Sequence, residues 1–139
     1  MWKRISPSDV PLPPNEIARD RQGGSMKVLI VDDNEPMRRM VSTFIADLVD
    51  EVVECGDGCD ALKAYSDHRP DFVLMDVKMK QVDGLAATRQ IKQAFPEARI
   101  VMVSQWEEPP LRDAAKLAGA EGYVGKSDLD PLRTILVKA

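Results

Sequence analysis

Hydrophobic residues in this chain fall into two alternating kinds of pattern. Short, unbroken, β-branched runs recur at Val28-Leu29-Ile30-Val31, Phe72-Val73-Leu74-Met75 and Ile100-Val101-Met102-Val103. Runs of this length and type read as strands buried on both faces. Val52-Val53 marks a weaker strand, and Gly122-Tyr123-Val124-Gly125 a short last one. Between them the spacing changes to helical. Met37, Met40, Val41, Phe44, Ile45 and Leu48 form one apolar stripe after Pro36, which suits a first helical turn. A second helix is expected over roughly Cys59–Asp67, ending before Arg69-Pro70. Leu85, Thr88, Ile91 and Phe95 give a third its inner face. Pro109-Pro110 opens a fourth, which Gly119 stops. Asp128 or Asp130 caps a fifth, with Leu132, Ile135 and Leu136 inward.

Five strand–helix units joined by short connections imply a doubly wound α/β fold. Its parallel sheet carries helices on both faces, because parallel strands need right-handed crossovers. Residues 1–25 differ: Pro7, Pro11, Pro13 and Pro14 precede Gly23-Gly24-Ser25, and no helical periodicity is present. They read as a flexible N-terminal tail, or as a Pro-rich docking segment, ahead of a single domain at 26–139.

Composition narrows the class without naming a function. Apolar content of 44% and charged content of 30% are those of a globular chain. A net charge of −4 argues against nucleic acid as a direct partner. No stretch approaches the roughly 18 apolar residues of a membrane span, and no signal-peptide core follows the N-terminus. Cys55 and Cys59 therefore read as reduced thiols. A zinc site built from them and the single histidine, His68, would lack ligands.

In open parallel sheets, ligands bind beyond the carboxyl ends of the strands. There the first strand ends in Asp32-Asp33, the third in Asp76, the fourth in Ser104 and the fifth in Gly125-Lys126. Three crowded carboxylates raise one another's pKa unless a cation neutralises them. A hard divalent ion with oxygen ligands, Mg²⁺, fits that need. Lys126 can pair with Asp76 or with a phosphoryl oxygen, and an ionised aspartate can act as a nucleophile toward phosphorus.

The segments VLIVDDNEPMRRM, DFVLMDVKMKQVDG, IVMVS and GAEGYVGKS, in this order and spacing, resemble the receiver domain of two-component response regulators from Met26 to Ala139. The resemblance implies a flavodoxin-like (βα)₅ fold with a five-stranded sheet of order 2-1-3-4-5. It implies a cytoplasmic signalling domain that catalyses only its own phosphorylation and dephosphorylation. Asp76 matches the phosphoacceptor, and Asp32 and Asp33 match the acidic pair that binds Mg²⁺. By analogy Asp33, Asp76 and the carbonyl of Lys78 are direct ligands, with Asp32 acting through water. Ser104 and Lys126 match the switch hydroxyl and the active-site lysine, and Tyr123 the aromatic that swings inward. Implied partners are a sensor histidine kinase or phosphotransfer protein and a downstream protein target or output domain. Homodimerisation on phosphorylation is left open.

Several positions depart from the family pattern. Lys80 stands where proline usually follows Met79, and Ser127 replaces the proline common after Lys126, which points to a trans bond there. Gln105 and Trp106 follow the switch serine and are read as modulators of access to Asp76. The KS pair and the SDLDPL sequence resemble receivers joined to helix-turn-helix output domains, so the chain reads either as a single-domain receiver or as part of a longer DNA-binding regulator. Two other classes fit less well. A haloacid-dehalogenase-type phosphatase needs Asp-x-Asp where this chain has Asp32-Asp33-Asn34, and a pseudo-receiver would not need the intact five-residue site.

Overall fold

The computed structural model describes the backbone of residues 2–5 and residues 25–138 with their side chains. Among the described residues, six strands and five helices follow one another in this order: β1 (Trp2–Ile5), β2 (Lys27–Val31), α1 (Glu35–Ile45), β3 (Glu51–Cys55), α2 (Ala61–His68), β4 (Phe72–Met75), α3 (Gly84–Ala94), β5 (Ile100–Ser104), α4 (Pro109–Ala118), β6 (Gly122–Gly125) and α5 (Asp130–Val137). A 3₁₀ turn, Gly58–Asp60, leads into α2. The sheet order is β1-β3-β2-β4-β5-β6, with β2 to β6 all parallel. Counting only the parallel strands, this is the expected 2-1-3-4-5 order.

The sixth strand was not expected. β1 pairs antiparallel with β3, placing Trp2 opposite Cys55, Lys3 opposite Glu54 and Ile5 opposite Val52. An uncovered β3 would present a row of unpaired N–H and C=O groups, and a short extended segment satisfies them. Four residues are too few for a periodic signal, and the prolines that follow dominate the reading of the tail. The rest of the tail, residues 6–24, lies outside the described residues.

Alternation along each strand divides the core in two. Leu29, Val31, Val53, Val73, Met75, Ile100 and Met102 pack with buried residues of α2, α3 and α4, including Ala64, Ile91 and Ala115. Val28, Ile30, Val52, Phe72, Leu74, Val101 and Val103 pack with Val41 and Ile45 of α1 and Leu132 and Leu136 of α5. Full burial of a side chain such as Ile45, Ile91 or Leu132 contributes about 1.5–3 kcal/mol.

The helix ends follow local rules. Asn34 Oδ1 accepts from Met37 N–H at 2.9 Å, and Asp83 Oδ1 from Ala86 N–H at 2.8 Å, so each side chain caps a helix. Gly119, at φ +112°, ends α4 in the left-handed conformation. At α5 the N-cap is Leu129, not either aspartate, although Asp128 Oδ1 accepts from Asp130 N–H at 3.1 Å. Among the described residues no peptide bond is cis, so Lys126–Ser127 is trans.

Candidate functional site

The carboxyl ends of β2, β4, β5 and β6 open onto one cleft of about 310 Å³. Asp32, Asp33, Asn34, Met37, Asp76, Lys78, Gln105, Trp106 and Lys126 line it. Asp32, Asp33 and Asp76 each turn a ligating oxygen into it, and these atoms lie within 4.8 Å of one another. Asp32 and Asp76 are 4% and 7% exposed, a degree of burial that ionised carboxylates tolerate only with partners.

Lys126 supplies part of that partnership. Its Nζ lies 2.8 Å from Asp32 Oδ2 and 3.3 Å from Asp76 Oδ1. One ammonium among three carboxylates leaves two negative charges uncompensated, which is the charge of a divalent cation. Burial, and then the charge of Asp32, push the Asp76 carboxyl up to about 6, while Lys126 and the Val77 N–H pull the other way. Val77 N–H donates to Asp76 Oδ1 at 3.0 Å. The other Asp76 oxygen takes no hydrogen bond or ion pair among the described residues. A hard cation bound by oxygens therefore fits the donor set.

The remaining residues singled out from the sequence surround this cluster. Ser104 is fully buried at the end of β5, and its Oγ accepts from Trp106 N–H at 3.0 Å. The Tyr123 hydroxyl donates to the Trp106 carbonyl, so both backbone groups of Trp106 are tied to those two side chains. Burial pushes the Tyr123 pKa up, against the pull of Ser104 and Arg112; the Arg112 guanidinium lies 4.9 Å from its ring centre. Tyr123 lines a neighbouring groove between α4 and β6 rather than the acidic cleft. Across the cleft mouth, Lys78 Nζ sits 4.2 Å from the centre of the Trp106 ring. Gln105 is exposed on the same wall, and Lys80 is exposed on the loop after β4.

Three supporting groups escaped the sequence reading. Asp57, in the loop after β3, accepts from the backbone N–H groups of Cys59 (3.0 Å), Gln81 (3.1 Å) and Val82 (3.2 Å). Burial raises its pKa, but these donors outweigh it and hold the carboxyl below the ordinary value. The loop carrying Lys78 is thereby clamped to the loop after β3. Glu107 accepts from Ser127 Oγ at 3.3 Å and pairs with Arg112 at 3.3 Å, bracing the segment after Lys126. Arg38 of α1 donates to the carbonyl of Asp32 at 2.6 Å and to Glu54 Oε1 at 3.1 Å. Asp57 and Arg38 serve backbone groups and Glu107 a side chain twenty residues away, contacts that have no spacing signature in the sequence.

Comparison with known proteins agrees with this geometry. The response regulator receiver domain family matches residues 28–136. The response regulator GacA of Pseudomonas aeruginosa is 39% identical over 105 residues, 73% of this chain and 48% of that protein. The chain thus spans about half the length of that relative. The chemotaxis protein CheY of Bacillus subtilis is 38% identical over 101 residues, 72% of this chain and 84% of that protein. Among solved structures, a LuxR-family two-component response regulator from Aurantimonas superposes with a TM-score of 0.74 at 29% identity, covering 83% of this chain and 87% of its own. CheY4 of Vibrio cholerae superposes with a TM-score of 0.72 at 27% identity, covering 83% and 97%. With the fold, the strand-end aspartates and these relatives in agreement, the chain belongs to the response regulator receiver domain family of two-component signalling.

Proposed function

We propose that Asp76 accepts a phosphoryl group from a histidine kinase or phosphotransfer protein in a Mg²⁺-dependent reaction, and that the change is read out by a protein partner or an output domain. The observation that carries this reading is the convergence of three carboxylates within 4.8 Å, two of them, Asp32 and Asp76, bridged by Lys126. Asp33, Asp76 and the Lys78 carbonyl would hold the ion directly and Asp32 through water. The ion supplies neutralisation of charge on the phosphoryl oxygens.

The chain's own groups then act as follows. The unpaired Asp76 oxygen attacks phosphorus, an aspartyl O–P bond forms, and the bond from phosphorus to the donor breaks. No general base is required, because the carboxylate attacks in its ionised form. Lys126, already 3.3 Å from Asp76, offers its positive charge to a phosphoryl oxygen. Ser104 donates its hydroxyl to another, and in turning it gives up its bond from Trp106 N–H. The Tyr123 ring follows inward, and the face formed by α4, β6 and α5 changes. Gln105 and Trp106, on the cleft wall, slow exchange of phosphoryl groups and water at Asp76. Beyond this self-phosphorylation and dephosphorylation the domain has no turnover of its own.

The test is to incubate the protein with Mg²⁺ and acetyl phosphate and weigh the intact chain. One acid-stable, base-labile phosphate is expected, absent in Asp76→Asn and formed at least a hundredfold more slowly in Lys126→Ala. No phosphate, together with no tight binding of a beryllofluoride mimic, would instead make this a constitutive binding module. Sustained turnover of varied phosphomonoesters would make it a hydrolase.

A further inference from the structure

Asp33 is the one member of the carboxylate cluster with no hydrogen bond or ion pair among the described residues. Its neighbour is held at every polar group. Asp32 N–H donates to the Cys55 carbonyl at 3.0 Å, Oδ1 accepts from Asn34 N–H at 2.9 Å, and Oδ2 pairs with Lys126 at 2.8 Å. The fourth group is the Asp32 carbonyl, which takes the Arg38 guanidinium at 2.6 Å. That carbonyl lies in the same rigid plane as Asp33 N–H, so fixing it fixes the peptide from which Asp33 departs.

Arg38 is itself held in place. Its side chain is 15% exposed and that of Glu54 7%, and Nε meets Glu54 Oε1 at 3.1 Å. Glu54 stands in β3, on the α1 side of the sheet, between Ile30 of β2 and Lys3 of β1 in the strand register. A carboxylate buried there needs a cation, and a guanidinium presents donors in a fixed fork that serves two acceptors at once. Lysine offers the charge without the fork.

We infer that Arg38, braced by Glu54, is a positioning residue that orients the Asp32–Asp33 peptide and so presents Asp33 to the divalent cation. This deepens the reading of the cleft as a Mg²⁺-dependent phosphoacceptor and rests on it. Arg38 touches neither ion nor phosphoryl group. Its effect is on how readily the ion binds, and not on the chemistry once it is bound.

The test titrates the full chain with Mg²⁺ alone by calorimetry, then follows phosphorylation by acetyl phosphate across Mg²⁺ concentrations. Arg38→Met is expected to weaken Mg²⁺ binding about tenfold, and Arg38→Lys and Glu54→Gln about threefold. The deficit in phosphorylation shrinks as Mg²⁺ is raised towards saturation. A purely structural Arg38 would lower the urea midpoint in EDTA while leaving the Mg²⁺ dissociation constant of the folded protein unchanged, which overturns the inference. So does a phosphorylation deficit that saturating Mg²⁺ does not reduce. Should Arg38→Met fail to fold, Arg38→Lys decides by the same two readouts. A wild-type protein that binds no Mg²⁺ removes the parent reading as well, whereas normal wild-type binding with unaltered variants removes this inference alone.

Discussion

The Lys78 ammonium lies 4.2 Å from the centre of the Trp106 ring, joining the loop after β4 to the loop after β5 across the mouth of the acidic cleft. Such a contact contributes roughly 0.5–1 kcal/mol at an exposed site. The ring is held from behind as well, since its backbone N–H and C=O are engaged by Ser104 and Tyr123. Trp106→Ala is expected to speed both phosphorylation by a small donor and loss of the phosphoryl group, each about threefold, which corresponds to about 0.7 kcal/mol on a barrier. Gln105→Ala should move both rates in the same direction by less. Time courses of intact mass after donor addition and after donor removal check this; unchanged rates in both variants would show that neither side chain guards Asp76.

The protonation of Asp76 links stability to pH. An acid raised in the fold from 3.8 to about 6 favours the folded state when protonated. That contribution is complete below about 3.8 and is lost as pH rises through about 6. Asp76→Asn, which cannot ionise, should therefore raise the urea midpoint of the metal-free protein above pH 6 and change it little near pH 4. Mg²⁺ needs the ionised carboxylate, so the rise in midpoint it produces should fade as pH drops below about 6. Urea melts with EDTA or Mg²⁺ over a pH series measure both effects.

Gly84 has no room for a side chain. A Cβ there would lie 1.8 Å from the Asp76 carbonyl oxygen and 3.0 Å from Met75 Cγ, while Gly84 N–H donates to the Val77 carbonyl at 2.7 Å. Gly84→Ala must push the start of α3 away from the loop that follows Asp76. The expected cost is about 2–3 kcal/mol of stability, together with weaker Mg²⁺ binding. Urea denaturation and Mg²⁺ titration report the two separately, and a loss below about 0.5 kcal/mol would mean that the loop relaxes freely.

The two thiols should differ sharply in reactivity. Cys55 is fully buried, its Sγ donates to the Asp57 carbonyl at 3.1 Å, and burial pushes the thiol up to about 11. Cys59 is exposed. One equivalent of an aromatic disulfide reagent should react promptly with the native protein, and the second only on unfolding. The Cys59→Ser protein should then show almost no reaction until urea is added, and prompt reaction of Cys55 in the folded state would count against the burial described.

The apolar runs of β2, β4 and β5 were plain in the sequence because both faces of each strand meet helices. Placing the strand ends then located Asp32, Asp33, Asp76, Ser104 and Lys126 together. β3 shows in the sequence only at Val52-Val53, because Glu51 and Glu54 have the polarity of solvent-facing residues. Both are in fact buried, at 7% and 6% exposure, and are paired with Lys27 at 3.6 Å and Arg38 at 3.1 Å. Met40, expected in the inner stripe of α1, is 43% exposed, and the helix stops at Ile45 before reaching Leu48. Helical spacing assigns a residue to a sector of the helix, and the width of the buried sector is set by the sheet beneath it. Arg38 and Asp57 are invisible in the sequence for another reason: each serves backbone atoms of a different segment, Arg38 those at the end of β2 and Asp57 those of the loop after β4.

The antiparallel course of β1 has a practical consequence for handling the molecule. Trp2 stands opposite Cys55, the β3 residue whose carbonyl receives Asp32 N–H, so whatever is attached ahead of Trp2 leaves the sheet at the end that carries the aspartates. Ile5 and Lys27 both lie at the other end, opposite Val52 and Glu51. α5 starts on the aspartate side, after β6, and runs back beneath the sheet to Val137. An affinity tag or fluorophore fused at the N-terminus would therefore start from the same end of the sheet as the cleft, two strands away from it, whereas one fused after the last helix would start from the opposite end.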